Sequence, residues 1–197
     1  MFDKDNTLTA PYDNTSIHPK AQEGFASALE VFGHDRVAIL SNSAGTLDDV
    51  DYEDAATIEQ NLGIRVIRHD EKKPGGCFEV LQHFGLVGDD ASDNYDKNTD
   101  GTSFKAMQLD SLAAKVCVMG DRLLTDVVFG NLHGMLTVHT MPVCTGKENR
   151  KDNVPAKIVR RLENGFLYRT PMGRRLGTKP PNHAHWQGQE RLKREED

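Results

Sequence analysis

The sequence has 197 residues, 37% of them hydrophobic and 27% charged, with a net charge of −6, a profile of one globular domain with a sizeable core. No apolar run approaches the roughly 18–20 residues that a membrane-spanning helix needs, and the N-terminus shows no signal- or transit-peptide pattern. The charge is divided: residues 147–197 hold 13 Lys and Arg against 7 Asp and Glu, which leaves residues 1–146 at −12, so any anionic partner is expected at the tail, unless the tail is simply solvated.

The chain opens on "MFDKDNTLTAPY", a Thr- and Asn-rich turn carrying Asp3 and Asp5. "IHPKAQEGFASALEVFG" predicts a helix, with Pro19 in its first turn, Gly33 as its C-terminal cap, and Ala21, Phe25, Ala28, Leu29 and Phe32 along one face. "RVAIL" is a wholly apolar run, as in a strand covered on both faces, and ends in the loop "SNSAGT". "DYEDAATIEQNLG" predicts a second helix closed by Gly63, "IRVI" a strand, and "RHDEKKPGG" the loop after it. "CFEVLQHFG" reads as a helix with Phe78, Leu81 and Phe84 inward and Gly85 as its cap. Residues 86–110 break the pattern with the polar centre "GDDASDNYDKNTDG", expected as a long mobile loop. "KVCVM" is a further strand, followed by "GDRLLTD", a helix to about Leu132, a stop at Gly134 and a last strand "MLTVHT". Beyond Met141 only "PAKIVRRLENG" looks helical. Cys77, Cys117 and Cys144 have neither metal nor redox spacing, which fits a reducing compartment, and Cys117 falls in a strand pattern.

Alternating helices and apolar strands predict an α/β fold with a doubly wound parallel sheet, divided into a body over 1–146 and a basic tail with a short helix over 147–197. In such sheets the chemistry collects in loops at the carboxyl ends of strands. Four loops qualify: "DKDNT", "SNSAG", "RHDEKKPG" and "GDRLLTD". Asp3 and Asp5 are two apart, so an extended chain would place both on one face and Lys4 on the other. Carboxylates that close call for a cation, and Mg²⁺ takes one or two carboxylates with water and phosphate oxygens. Asp121 would add an oxygen ligand, with Asp126 behind it. Ser41 would offer a hydroxyl, and Lys73 a point charge, to a phosphoryl group. Asn42 would help orient that phosphate, and His69 is placed for a role with the substrate.

Other signals are incomplete. Asp96, Asn98, Asp100 and Gly101 imitate half of a calcium loop, but Met107 stands at its closing acidic position. The "NTS" sequon at Asn14 lacks a secretory context, and His183 and His185 lie in a polar tail.

Taken together and in order, "DKDNTLT", Ser41 after "VAIL", Lys73 before Pro74 and "GDRLLTD" resemble the four motifs of the haloacid dehalogenase superfamily of phosphotransferases, over roughly residues 1–140. "SNSAGT", "RHDEKKPGGC" and "GDRLLTD" further resemble the mitochondrial phosphatidylglycerophosphate phosphatases of fungi and their bacterial relatives. That resemblance implies a Rossmann-like sheet of haloacid dehalogenase type without a cap domain. It implies a phosphatase acting on phosphatidylglycerophosphate on the route to cardiolipin, on the matrix side of the mitochondrial inner membrane. Asp3 would be the nucleophile, and Asp5 the acid and base. Asp3, the Asp5 carbonyl and Asp121 would hold Mg²⁺, backed by Asp126. Ser41 and Lys73 would bind the transferring phosphoryl group. The substrate would be an anionic phospholipid met by peripheral membrane association, and no nucleic-acid partner is expected. A phosphatase of the same superfamily acting on a soluble metabolite or phosphoprotein, and a non-catalytic receiver-like phosphoacceptor, are the alternatives.

In this fold the nucleophile ends a central strand of about five apolar residues. Only Met1 and Phe2 precede Asp3, so the chain reads as shortened at its N-terminus, with poor folding expected from an open sheet centre. In the tail, Ile158, Leu162 and Phe166 near Arg160, Arg161 and Arg169 would make a basic amphipathic segment for anionic lipid, or a helix packed on the body.

Overall fold

The computed structural model describes residues 1–88 and 111–145, together with Ile158, Leu162 and Gly165. Helix α1 (Pro19–Phe32) starts where His18 accepts a hydrogen bond from the Lys20 N–H, and it ends at Gly33, which adopts φ 79°. Strand β1 (Ala38–Ile39) follows, then α2 (Glu53–Leu62), closed by Gly63 at φ 71°, and strand β2 (Arg65–Val66). Helix α3 (Cys77–His83), β3 (Cys117–Gly120), α4 (Val128–Leu132) and β4 (Leu136–His139) complete the described elements.

All strand pairing among the described residues is parallel. β1 pairs with β2, and β3 with β4. The two pairs are joined by the first residues of the chain, because Phe2 bridges Ile39 on one side and Met119 on the other. The Phe2 N–H gives to the Ala38 carbonyl at 2.9 Å, the Leu40 N–H to the Phe2 carbonyl at 2.9 Å, and the Asp3 N–H to the Met119 carbonyl at 2.7 Å. The order across the sheet is therefore β2, β1, Met1–Asp3, β3, β4. The central position is short but hydrogen-bonded on both edges.

Side chains alternate across this sheet, and two apolar clusters result. Met1, Ala38, Leu40, Ile67 and Val118 share one with Val80, Leu81 and Phe129 of α3 and α4. Phe2, Val37, Ile39 and Val66 share the other with Phe25 of α1 and Ala55 and Ile58 of α2. Burying a side chain such as Ile58 or Phe129 stabilises the fold by about 1.5–3 kcal/mol.

Three local expectations are corrected. Phe32, expected on the inner face of α1, is 56% exposed, while Phe25 on the same face is buried among Phe2 and Ile39 of the sheet. On α3 Leu81 is buried and Phe84 packs partly buried against the core, as expected, but Phe78 is only half-buried and Val80 fills the core in its place. The segment after Asp121 begins as a π-turn over Leu123–Val127 before α4 starts. Most of the polar stretch 86–110, the calcium-loop imitation, His183, His185 and most of 147–197 lie outside the described residues.

Candidate active site

The carboxyl end of the central segment delivers Asp3. Just beyond it the chain turns back on itself. Leu8 and Thr9 both give their N–H groups to the Lys4 carbonyl at 3.0 Å, and Asn6 takes φ 64° to allow it. This turn ends the strand alternation at Lys4. The expectation that Lys4 faces away from Asp5 is overturned: its side chain is 2% exposed and its Nζ gives to Asp5 Oδ1 at 2.8 Å. The Asp5 carboxylate, 28% exposed, also accepts the Tyr12 N–H at 2.8 Å.

The loop after β1 buries Ser41. Its Oγ accepts the N–H groups of Ser43 (3.2 Å) and Ala44 (3.4 Å) and lies 3.1 Å from Ser43 Oγ. Asp49 closes the same loop. Its carboxylate accepts the N–H groups of Gly45 (2.8 Å), Asp54 (3.0 Å) and Ala55 (3.0 Å), tying the loop to the first turn of α2. Gly45 is required here: it has φ 78°, and a Cβ on it would lie 2.6 Å from the Ile67 carbonyl.

The loop after β2 brings in Lys73. Asn42 Oδ1 accepts the Lys73 N–H at 2.8 Å, so Asn42 fastens the second loop to the third. His69 does the same from the other side. It is buried, with Nε2 2.9 Å from the Ser41 carbonyl and Nδ1 2.6 Å from the Glu71 carbonyl. Each ring nitrogen faces a main-chain carbonyl and the ring N–H donates to one of them, so His69 bridges the second and third loops. Lys72 is half-exposed and pairs with Asp48 at the surface.

The fourth loop, after β3, carries Asp121 and Asp126, both fully buried. Asp126 Oδ2 accepts the Arg122 N–H at 3.1 Å. The four loops meet at Lys73, whose Nζ lies 2.6 Å from Asp3 Oδ1 and 2.5 Å from Asp126 Oδ1, with its side chain 2% exposed. Asp3, Asp121 and Asp126 each present a carboxylate oxygen within 4.8 Å of the others. The Asp5 carboxylate stands outside this cluster among the described residues; its expected metal contact is through the main-chain carbonyl.

Among the described residues three buried carboxylates gather around the Lys73 ammonium. Burial, and then the Asp126 carboxylate, push Asp3 above the usual aspartate range, while Lys73 pulls it back. Burial pushes the Lys73 ammonium down, but Asp3 and Asp126 outweigh it, and the group ends well above the ordinary lysine value. Such a pocket suits a hard divalent cation and a bound anion together. An open groove of about 620 Å³ along the β2 edge, lined by residues such as Glu59, Arg65, Arg68 and His83, contains none of these groups.

Sequence reasoning missed Lys4 and Asp49 as organisers of the site. Asp49 sits in the run "DDVD", where nothing in the sequence separates it from Asp48 or Asp51.

Residues 1–92 match the family described as mitochondrial PGP phosphatase, and residues 101–164 match the family of haloacid dehalogenase-like hydrolases. The chain is 38% identical over 188 residues to the chloroplastic phosphatidylglycerophosphate phosphatase 1 of Chlamydomonas reinhardtii, covering 93% of this chain and 56% of that protein. It is 38% identical to the chloroplastic/mitochondrial phosphatidylglycerophosphate phosphatase 1 of Arabidopsis thaliana, covering 93% of this chain and 44% of that protein. To the mitochondrial phosphatidylglycerophosphatase of Saccharomyces cerevisiae it is 33% identical, over 68% of this chain and 61% of that protein. The chain thus spans about half the length of these algal and plant relatives. No solved structure matches it.

Proposed function

We propose that this chain, a haloacid dehalogenase-like relative of the phosphatidylglycerophosphate phosphatases, hydrolyses the terminal phosphomonoester of phosphatidylglycerophosphate through an aspartyl phosphate on Asp3. The observation that carries this reading is the placement of Asp3: it ends the central segment of a parallel sheet, buried, bonded to Lys73 and clustered with Asp121 and Asp126. An Asp3 oxygen attacks phosphorus, and the bond to the glycerol oxygen breaks as Asp5 gives that oxygen a proton. Asp5 then takes a proton from water, which attacks the phosphoryl group, releases inorganic phosphate and restores Asp3. Lys73 and the Ser41 hydroxyl hold the equatorial oxygens through both steps.

The donor set fits Mg²⁺. Three buried carboxylates converge on one point, and the Lys73 ammonium pairs with two of them. Asp3, Asp121 and the Asp5 carbonyl would hold the ion, with Asp126 behind them. When bound, it offsets charge on the phosphoryl oxygens.

Several features favour a lipid over a soluble ester. The intervals Thr9–Val37 and Ser41–Lys73 are occupied by α1 and α2, which leaves no stretch for a large cap, and we read the sheet as doubly wound with an open edge. Tyr12, Leu47 and Met141 on loops after strands, and Leu124 in the π-turn after β3, are large apolar side chains left exposed. Ile158 and Leu162 are helical and exposed, four residues apart in the basic tail, as a segment resting on anionic lipid requires. No helix among the described residues is long and apolar enough to cross a membrane, so peripheral association is the mode proposed. Placement in mitochondria is supported by the names of the fungal relatives, and within them the matrix side of the inner membrane is the proposed location. The plastid names of the algal and plant relatives make the chloroplast the alternative.

The test is phosphate release from phosphatidylglycerophosphate in mixed micelles, with Mg²⁺ and with a chelator, beside Asp3→Asn. Metal-dependent release that disappears in Asp3→Asn is expected. Hydrolysis of soluble esters alone would refute the lipid assignment, and release that persists in Asp3→Asn would refute the nucleophile.

A further inference from the structure

The geometry points to Lys4 as a positioning residue that orients Asp5 for proton transfer. Its side chain is 2% exposed, and an ammonium so deeply buried must use its hydrogens on the protein. It has three N–H bonds and three acceptors: Asp5 Oδ1 at 2.8 Å, Asn14 Oδ1 at 2.9 Å and the Asp13 carbonyl at 3.4 Å. None of its hydrogens is left for a phosphate. The two ammoniums of the site therefore divide the two motif carboxylates, Lys73 on Asp3 and Lys4 on Asp5.

The contact is one-sided. Lys4 Nζ and the Tyr12 N–H both fall on Asp5 Oδ1. Two donors on one oxygen fix the plane of the carboxyl group and leave Oδ2 as the oxygen for proton traffic. The support continues outward. Asn14 gives its Nδ2 to Asp54 Oδ1 at 3.0 Å, and its carbonyl accepts Asn61 Nδ2 at 2.9 Å, so α2 anchors the residue that anchors Lys4. A carboxyl group with 28% exposure would otherwise sample several rotamers. Lys4, Asn14 and α2 restrict it to one.

This inference rests on the proposed role of Asp5 as acid and base, so the experiment separates the two. Lys4→Met, Asn14→Ala and Asp5→Asn are each assayed on phosphatidylglycerophosphate, whose alkoxide leaving group needs a proton, and on 2,4-dinitrophenyl phosphate, whose leaving group does not. The burst of dinitrophenolate reports attack by Asp3. Asp5→Asn is expected to keep the burst within a few-fold and to lose lipid turnover by about 10²–10⁴-fold, the range of general acid–base catalysis. Lys4→Met is expected to show the same selectivity, with a loss of about 10²-fold, and Asn14→Ala a smaller loss in the same direction. If Asp5→Asn is selective while Lys4→Met keeps both the burst and lipid turnover, the positioning role is wrong and the role of Asp5 stands. If Asp5→Asn loses burst and turnover equally, the reading of Asp5 fails and takes this inference with it. If Lys4→Met gives no burst, or does not fold, Asn14→Ala decides: a selective loss of lipid turnover supports the role, and unchanged turnover overturns it.

Discussion

Gly120 and Asp126 are packed so closely that a Cβ on Gly120 would lie 2.3 Å from the Asp126 carboxylate carbon. The backbone of β3 is thus a wall against which the last acidic residue of the cluster rests. Gly120→Ala is expected to push Asp126 off Lys73 and to lower phosphate release at least about 10²-fold, since a displacement of about 1 Å at a reacting centre has that effect. Steady-state kinetics on the folded variant check this. Wild-type rates would mean that Asp126 can move without consequence.

Lys73 is the counter-charge of the pocket. Lys73→Met leaves buried carboxylates uncompensated, and a loss of about 3–5 kcal/mol is expected at neutral pH. The sign of the pH dependence follows. The folded value of Lys73 lies above its unfolded one, so its contribution is complete below the ordinary lysine range and fades only as pH rises through the folded value. In Lys73→Met the loss should shrink as the pH falls and the carboxylates take up protons. Denaturant titrations across the pH range, in chelator, measure both effects.

Asp3 carries the opposite burden. Its folded pKa is raised, by burial first and by Asp126 second, so the folded chain holds this proton more tightly than the unfolded chain does. The stability from this group is present below the ordinary aspartate range and is lost as pH rises through its folded titration. Asp3→Asn should therefore make the metal-free protein more stable than wild type near neutrality, with the difference closing in acid. Melting temperatures should rise by about 2–4 °C for each kcal/mol gained in a chain of this size. Mg²⁺ should stabilise wild type more than Asp3→Asn. A variant less stable than wild type in chelator at neutral pH would contradict the electrostatic argument.

Asp49 receives three main-chain N–H groups and touches no other site carboxylate among the described residues. Asp49→Ala strands those donors, two of them at the start of α2. A destabilisation of about 1–3 kcal/mol is expected, with Asp49→Asn recovering part of it. Urea unfolding curves provide the comparison; equal midpoints for Asp49→Ala and wild type would show that water replaces the carboxylate.

The sequence made some of this legible because its signals are local. The apolar run around Ala38 and Ile39, and the glycines at 33 and 63, mark strand and helix ends without tertiary context. The alternation of strands and helices places Asp3, Ser41, Lys73 and Asp121 at one sheet edge in principle, and these loops do come together through Lys73, Asn42 and His69. What depends on a turn or on long-range packing was hidden. Period-two alternation assumes an extended chain and so puts Lys4 on the side away from Asp5, whereas the chain turns at Asn6 and brings the two together. Phe32 has the helical spacing of a core residue but stays exposed, because helical spacing sets a face and not how far along the helix that face is covered. His69 is spaced like a substrate ligand, yet its ring faces two main-chain carbonyls.

The turn at Asn6 also has a second partner. The Val143 N–H gives to the Asn6 carbonyl at 2.9 Å and the Cys144 N–H to Asn6 Oδ1 at 3.1 Å, while Lys20 Nζ caps the Val143 carbonyl at 2.8 Å. The stretch after β4 is clasped to the nucleophile loop, three residues from Asp3. A segment that comes late in the chain is thereby latched to the turn that follows Asp3, so the two ends of the described fold are held at one point.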